Sequence, residues 1–235
     1  MGRSNYSLTY AVDMTFVIDA TGSMKDLLDT VKDNALNFYN DVCVCMERKH
    51  KKVNQLRVRV VAFRDYVADG KEAMLVTDFF DLPTQNDEFE RCVKSLEPQG
   101  GGDEPEDGLE ALAYAIKSKW FHEDETQKGL IKKRHVIVVW TDASTHELGF
   151  GSGEPNYPKN MAKNMGELTA WWGDEQTPGA MDQYAKRLVL FTPDEPGWSF
   201  IAENWDKTIF YPSIAGEGLA EVDYGTILDT IAGTI

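Results

Sequence analysis

Four nearly continuous apolar, β-branched runs constrain the fold most: "MTFVID" (14–19), "LRVRVVAF" (56–63), "HVIVVWTD" (135–142) and "RLVLFTP" (187–193). A strand with one face in water alternates apolar and polar residues, whereas a run without that alternation is buried on both faces, as in a parallel sheet covered by helices. The sequence between the runs supplies the helices. Met24, Leu27, Leu28, Val31, Ala35 and Phe38 recur at three-to-four spacing within 24–47, as do Leu109, Leu112, Ala113 and Ile116 within 107–119. Strand alternating with helix predicts an α/β fold with a doubly wound, mostly parallel sheet. "AMLVTDFF" (73–80) follows the second run after only "VADGKE", too short for a crossover helix, and is expected to pair antiparallel as one edge strand. "KTIFYPS" (207–213) is expected to add a sixth strand and 218–234 a closing helix.

The length of 235 residues suits a single domain over 1–235, and 42% hydrophobic with 11% aromatic residues supplies a large core. Residues 148–182, rich in Gly and Pro around "AWWGDEQTPG", exceed an ordinary strand-to-helix connection and form an expected insertion. The formal net charge of −15 disfavours nucleic acid and anionic membranes, whose phosphates the mean field repels, and favours cations and basic protein surfaces. Cys43, Cys45 and Cys92 cannot all pair, and their spacing matches no four-ligand zinc pattern. They read as free thiols in a reducing compartment. With no apolar signal core in "MGRSNYSLTY" and no run near the roughly 18 apolar residues of a membrane span, a cytoplasmic location is expected.

In an open α/β sheet, ligands bind outside the carboxyl ends of the strands, where strand order reverses. Asp19 ends the first run, Asp65 follows the second, and Asp142 ends "VIVVWTD". Carboxylates gathered on one edge repel each other unless a cation sits among them, and a hard divalent ion with oxygen ligands is the economical solution. Thr21 and Ser23 add neutral oxygens.

"DATGSM" resembles the Asp-x-Ser/Thr-x-Ser motif of the von Willebrand factor A domain family, in which this motif opens a metal-ion-dependent adhesion site. The resemblance implies a Rossmann-like fold and metal ligands at Asp19, Thr21 and Ser23, with the later strand-end aspartate at Asp142 in "WTDAS". The family's remaining ligand is a threonine in a Gly-rich loop ahead of a helix. In "PQGGGDEPEDGLEAL" that position falls on Asp103, a departure that makes the site formally −1 around a divalent ion and suggests a self-satisfied resting state. The loop is similar to that of intracellular members, including domains attached to alpha-type kinases.

Alternatives stand beside several of these readings. Ser23 with Asp26, and Asp103 with Glu106, also fit helix caps. Asp65 reads as a turn or salt-bridge residue with Arg64, and His146 as a solvated loop histidine. Trp171 and Trp172 read as half-buried packing or as a partner anchor. The resemblance implies a protein-interaction module in which Mg²⁺, or Ca²⁺ or Mn²⁺, offers a coordination position to an acidic side chain of a protein partner. No nucleophile and base pair marks an enzyme. The rival readings are a metal-dependent phosphohydrolase or phosphotransferase, against which no Walker loop or "DxDx[TV]" stands after the first run, and a purely structural metal.

Overall fold

The first apolar run extends well beyond its predicted start: β1 spans Leu8–Asp19, because Tyr10 and Val12 continue the buried face set by Met14, Phe16 and Ile18. The computed structural model describes residues 8–102, 104–122, 131–219 and 222–235. After β1 come α1 (Lys25–Asn34) and α2 (Phe38–Arg48), then β2 (Lys51–Phe63), α3 (Tyr66–Asp69), β3 (Met74–Val76), β4 (Phe80–Leu82) and α4 (Asn86–Lys94). The second half holds α5 (Gly108–Ile116), β5 (Lys132–Trp140), α6 (Met165–Trp172), β6 (Lys186–Pro193), α7 (Pro196–Asn204), β7 (Thr208–Ser213) and α8 (Tyr224–Thr234). The helix expected over 24–47 is broken at a 3₁₀ turn, Ala35–Asn37, where Asn34 Nδ2 donates to Thr30 O at 2.8 Å and competes with the main-chain ladder.

Among the described residues the sheet has seven strands, ordered β3-β2-β1-β5-β6-β7, with β4 also on β2. β1, β2, β5, β6 and β7 run parallel. The expected antiparallel edge strand is present but divided: Met74–Val76 pairs with Phe63–Val61, and Phe80–Leu82 with Val58–Leu56. The break falls where the Thr77 hydroxyl, rather than a carbonyl, accepts from Val60 N at 3.0 Å.

Two apolar layers cover the sheet. Phe16, Val58, Val138 and Val189 face Leu28, Phe38, Phe89 and Ile231 of α1, α2, α4 and α8. Val17, Val61, Ile137 and Leu190 face Leu112, Leu168 and Ile201 of α5, α6 and α7. The residues of 148–182 join this second layer. Trp172 is 1% exposed, stacks on Trp205 at 5.3 Å and donates from Nε1 to Asp206, so it serves packing; Trp171 is half-buried beneath the Lys117 ammonium. The buried Asp13 of β1 is neutralised by a bidentate Arg57, at 2.8 and 2.6 Å. Among the described residues no helix is long and apolar enough to cross a membrane. Cys43, Cys45 and Cys92 are free thiols.

β1 leads to β2 on one side, and β5 then joins β1 on the other. The strand order therefore reverses between β1 and β5, and the turns that leave these two strands meet at that point.

Candidate metal centre

Asp19 closes β1 at the reversal, fully buried. Thr21 donates to its Oδ1 from both N (2.8 Å) and Oγ1 (2.6 Å), and Thr141 Oγ1 donates to Oδ2 at 2.6 Å. Burial pushes the Asp19 carboxyl up to about 6 although these hydrogen bonds pull it down, and the neighbouring Asp142 charge adds to the rise. Asp142 lies two residues past β5. Its Oδ1 accepts from Ser23 Oγ at 2.9 Å and its Oδ2 from Gly218 N at 2.7 Å. Thr21 Oγ1 and Ser23 Oγ are 3.5 Å apart, which joins the two carboxylates into one group.

The β1–α1 turn makes this possible. Thr21 is extended (φ −73°, ψ 169°) and is followed by a 3₁₀ turn, Gly22–Met24, that lifts Ser23 to the surface. Neither helix start there receives a side-chain cap, so the capping role weighed for Ser23 is not realised; its hydroxyl is spent on Asp142. Of the five expected ligands the structure thus brings together Asp19, Thr21, Ser23 and Asp142. Asp103 lies outside the described residues.

The glycines before position 103 approach the group closely. Gly101 (φ +72°) leaves no room for a side chain, since a Cβ would sit 2.8 Å from Thr21 Cγ2 and 2.5 Å from Glu106 Oε1. Gly101 N donates to Asp69 Oδ2 at 3.0 Å. Arg64 holds the surrounding loops through the carbonyls of Ala20 (3.0 Å), Glu72 (2.7 Å), Glu97 (2.7 Å) and Gln99 (2.7 Å).

Those carbonyls correct the expected Asp65–Arg64 pair: the guanidinium is committed to main-chain oxygens. Asp65 is the turn residue expected, accepting from Val67 N and Ala68 N at 2.5 and 2.7 Å, but its side-chain partner is His146, with Nε2 and Oδ2 2.8 Å apart. His146 is correspondingly not solvated. It is 7% exposed and stacked on Phe150 at 3.9 Å.

A further layer of acids lies behind the site. Glu106, Asp107 and Glu110 are buried, and each keeps one carboxylate oxygen without a hydrogen-bond partner. Burial, reinforced by Asp19, Asp65, Asp69 and Asp107, pushes Glu106 up to about 9. Burial likewise pushes Asp107 up to about 7, against a hydrogen bond from Tyr66 N. Glu110 is raised by burial too, although Gly149 N and Tyr157 OH both donate to its Oε1 at 2.9 Å.

No group of three or more His, Cys, Asp or Glu side chains among the described residues is arranged to hold a metal ion. The donors that do converge are two carboxylates and two hydroxyls, all hard oxygens of the kind Mg²⁺, Ca²⁺ and Mn²⁺ accept. Three participants escaped the sequence reading. Thr141 carried a signal in standing directly before Asp142 in "WTD"; Gly218 and the burial of Glu106 carried none.

The family model described as von Willebrand factor A domain matches residues 13–147. No curated protein sequence matches the chain. Among solved structures, the pilus adhesin SpaC from Lactobacillus rhamnosus GG superposes with a TM-score of 0.50 at 11% identity, over 95% of this chain and 30% of that one. Its open conformation gives a TM-score of 0.48 at 12% identity, over 95% and 30%. A von Willebrand factor type A protein from Catenulispora acidiphila gives 0.47 at 12%, over 95% of this chain and 42% of the other. The chain thus spans less than half the length of these structures, and identities this low speak for the fold alone.

Proposed function

Because the chain belongs to the von Willebrand factor A domain family, we propose that it is a metal-dependent protein-interaction module and not an enzyme. Asp19, Thr21, Ser23 and Asp142 are the proposed ligands, some through water, of Mg²⁺ or of Ca²⁺ or Mn²⁺, with Asp103 added on the sequence alone. The observation that carries the reading is the convergence, at the reversal of strand order, of two carboxylates and two hydroxyls linked by contacts of 2.6 Å (Thr21 to Asp19) and 2.9 Å (Ser23 to Asp142). Two carboxylates match the charge of one divalent ion. The bound ion would supply a Lewis-acidic position for an acidic side chain of a protein partner, and the exposed Ser23 marks the side from which that partner approaches. Thr141 and Gly218 would orient the two carboxylates through the oxygens they already hold.

The adhesin is by its name a binding protein, and the fold it shares with this chain supports the same class of role here. The three free thiols support a reducing, cytoplasmic setting. Association with an alpha-type kinase rests on the sequence resemblance alone.

The test compares parent and Asp19→Ala by thermal denaturation with and without Mg²⁺, beside pull-down with and without EDTA and phosphatase assays with Mg²⁺ and Mn²⁺. Expected are Mg²⁺ stabilisation of the parent only, EDTA-sensitive capture and no turnover. Equal stabilisation of Asp19→Ala would show that the ion binds elsewhere, and metal-dependent turnover would replace the module reading with the phosphohydrolase one.

A further inference from the structure

The end of the sheet opposite the acidic edge carries the reverse charge. In a chain of net charge −15, β2 opens with Lys51 and Lys52, β5 with Lys132, Lys133 and Arg134, and β6 with Lys186 and Arg187. Parallel pairing sets Tyr10 beside Lys132, Val12 beside Arg134, and Val136 beside Arg187. Paired residues project to the same side of a sheet, so these three cations share one face. Lys51 joins them there: its Nζ lies 5.8 Å from the centre of the Tyr10 ring, and Arg134 Cζ lies 5.4 Å from it. The row crosses four adjacent strands, or three spacings of ~4.8 Å, about 14 Å in all.

Two cations of this end are neutralised, Lys133 by Asp182 at 2.9 Å and Lys186 by Asp206 at 2.7 Å. Among the described residues Lys51, Lys132 and Arg187 form no ion pair. Arg134 Nε and Arg187 Nε cap the end of α8 through Ile235 O (3.0 Å) and Thr234 O (3.2 Å), and their Nη1 groups donate to Lys133 O and Lys186 O. Those carbonyls fix both guanidiniums in place and leave each Nη2 without a partner among the described residues. Capping explains the two arginines and not the lysines beside them. The cations repel one another: Lys51 is pushed down by burial and then by Arg134, Lys49, Lys132 and Arg187.

A row of immobilised guanidiniums and lysines suits the tetrahedral, multiply charged oxygens of phosphate groups. The size of the ligand follows from the net charge. An extended polyanion, such as nucleic acid, an acidic protein or an anionic membrane, meets the negative field of the whole molecule, while a compact one lies within a Debye length of about 8 Å of the cations. We propose that Lys51, Lys132, Arg134 and Arg187 form a binding site for a compact polyanion of the polyphosphate type, such as the triphosphate group of a small molecule.

The probe is inorganic tripolyphosphate, titrated by calorimetry into the full chain in metal-free buffer at ~0.15 M salt, with inorganic monophosphate, a polyglutamate peptide and phosphatidylserine vesicles run in parallel. Saturable 1:1 binding of tripolyphosphate is expected, at least about tenfold tighter than monophosphate, and weakened at least about tenfold in Lys51→Gln/Lys132→Gln. Lys25→Gln, at the start of α1, should bind as the parent does. Should the double variant fail to fold, the exposed Lys132→Gln alone carries the test, with a loss of several-fold expected. No saturable tripolyphosphate binding, an equal loss in Lys25→Gln, or tighter binding to the peptide or the vesicles overturns the proposal.

Discussion

Both oxygens of the Asp19 carboxylate are engaged, one by Thr21 and one by Thr141, so the site is assembled from residues whose hydroxyls already face the charge they stabilise. Glu106 is the contrasting case: it is 4% exposed, has Oε2 unpartnered and is surrounded by other acids. Its carboxyl, ordinarily near 4.5, is pushed up to about 9 in the fold. Between those values the folded chain keeps a proton that the unfolded chain gives up, so this contribution to stability is present below about pH 4.5 and is lost as pH rises toward 9. Glu106→Gln keeps the shape and removes the titration. In denaturant unfolding without divalent ions, the variant should match the parent near pH 5 and exceed it by about 1 kcal/mol or more near pH 8. A difference that does not change with pH would mean that Glu106 is ionised throughout.

The candidate metal centre depends on loops more than on strands. The β7–α8 loop reaches across it, with Gly216 N on Asp142 O at 2.9 Å and Gly218 N on Asp142 Oδ2 at 2.7 Å. Gly218 has φ +61°, and a Cβ there would lie 2.2 Å from Ser23 O. Gly218→Ala combines backbone strain with that clash and should cost about 1–3 kcal/mol, together with a smaller Mg²⁺-induced rise in Tm. Unchanged stability would show that the loop can withdraw without loss. The insertion is anchored in a similar way, by Gly149 N and Tyr157 OH on Glu110 and by Asn156 Nδ2 on Gly70 O. It carries Phe150, 57% exposed and stacked on His146, beside the acidic edge. If the insertion forms part of the partner surface, Phe150→Ser should weaken partner capture several-fold and leave Mg²⁺ stabilisation as in the parent. Capture as strong as the parent's would place the contact elsewhere.

Over the whole molecule the charges are segregated along the strand direction. Acids gather at the carboxyl ends of β1 and β5, while the cations of β2, β5 and β6 gather at the opposite end. The net charge of −15 repels itself in the compact state, and salt screens that repulsion. Without divalent ions, Tm should therefore rise between ~0.01 M and ~0.15 M NaCl. A fall would mean that screened attractions, chiefly the exposed ion pairs Lys25–Asp29, Arg91–Glu88 and Lys94–Glu90 and the cation caps of α8, outweigh the repulsion.

By itself the amino-acid sequence determined the α/β class, the parallel core strands, the antiparallel edge and the family. These follow from short-range patterns: runs without polar alternation, helical spacing between them, and a turn too short for a crossover. The cluster of Asp19, Thr21, Ser23 and Asp142 was also legible, because three of the four lie within five residues and the fourth closes the third apolar run, whose carboxyl end falls on the same sheet edge. Tertiary structure alone decided what surrounds them. The Asp65–His146 pair joins positions 81 residues apart, and the hydrogen bond from Gly218 to Asp142 joins positions 76 apart. Both depend on how loops fold over the sheet edge, which no local periodicity encodes. The high proton affinity of Glu106 and the basic row on β2, β5 and β6 have the same origin: an acid is raised, and cations crowd one another, only after distant strands align in register and shut out the water that would have solvated each charge separately.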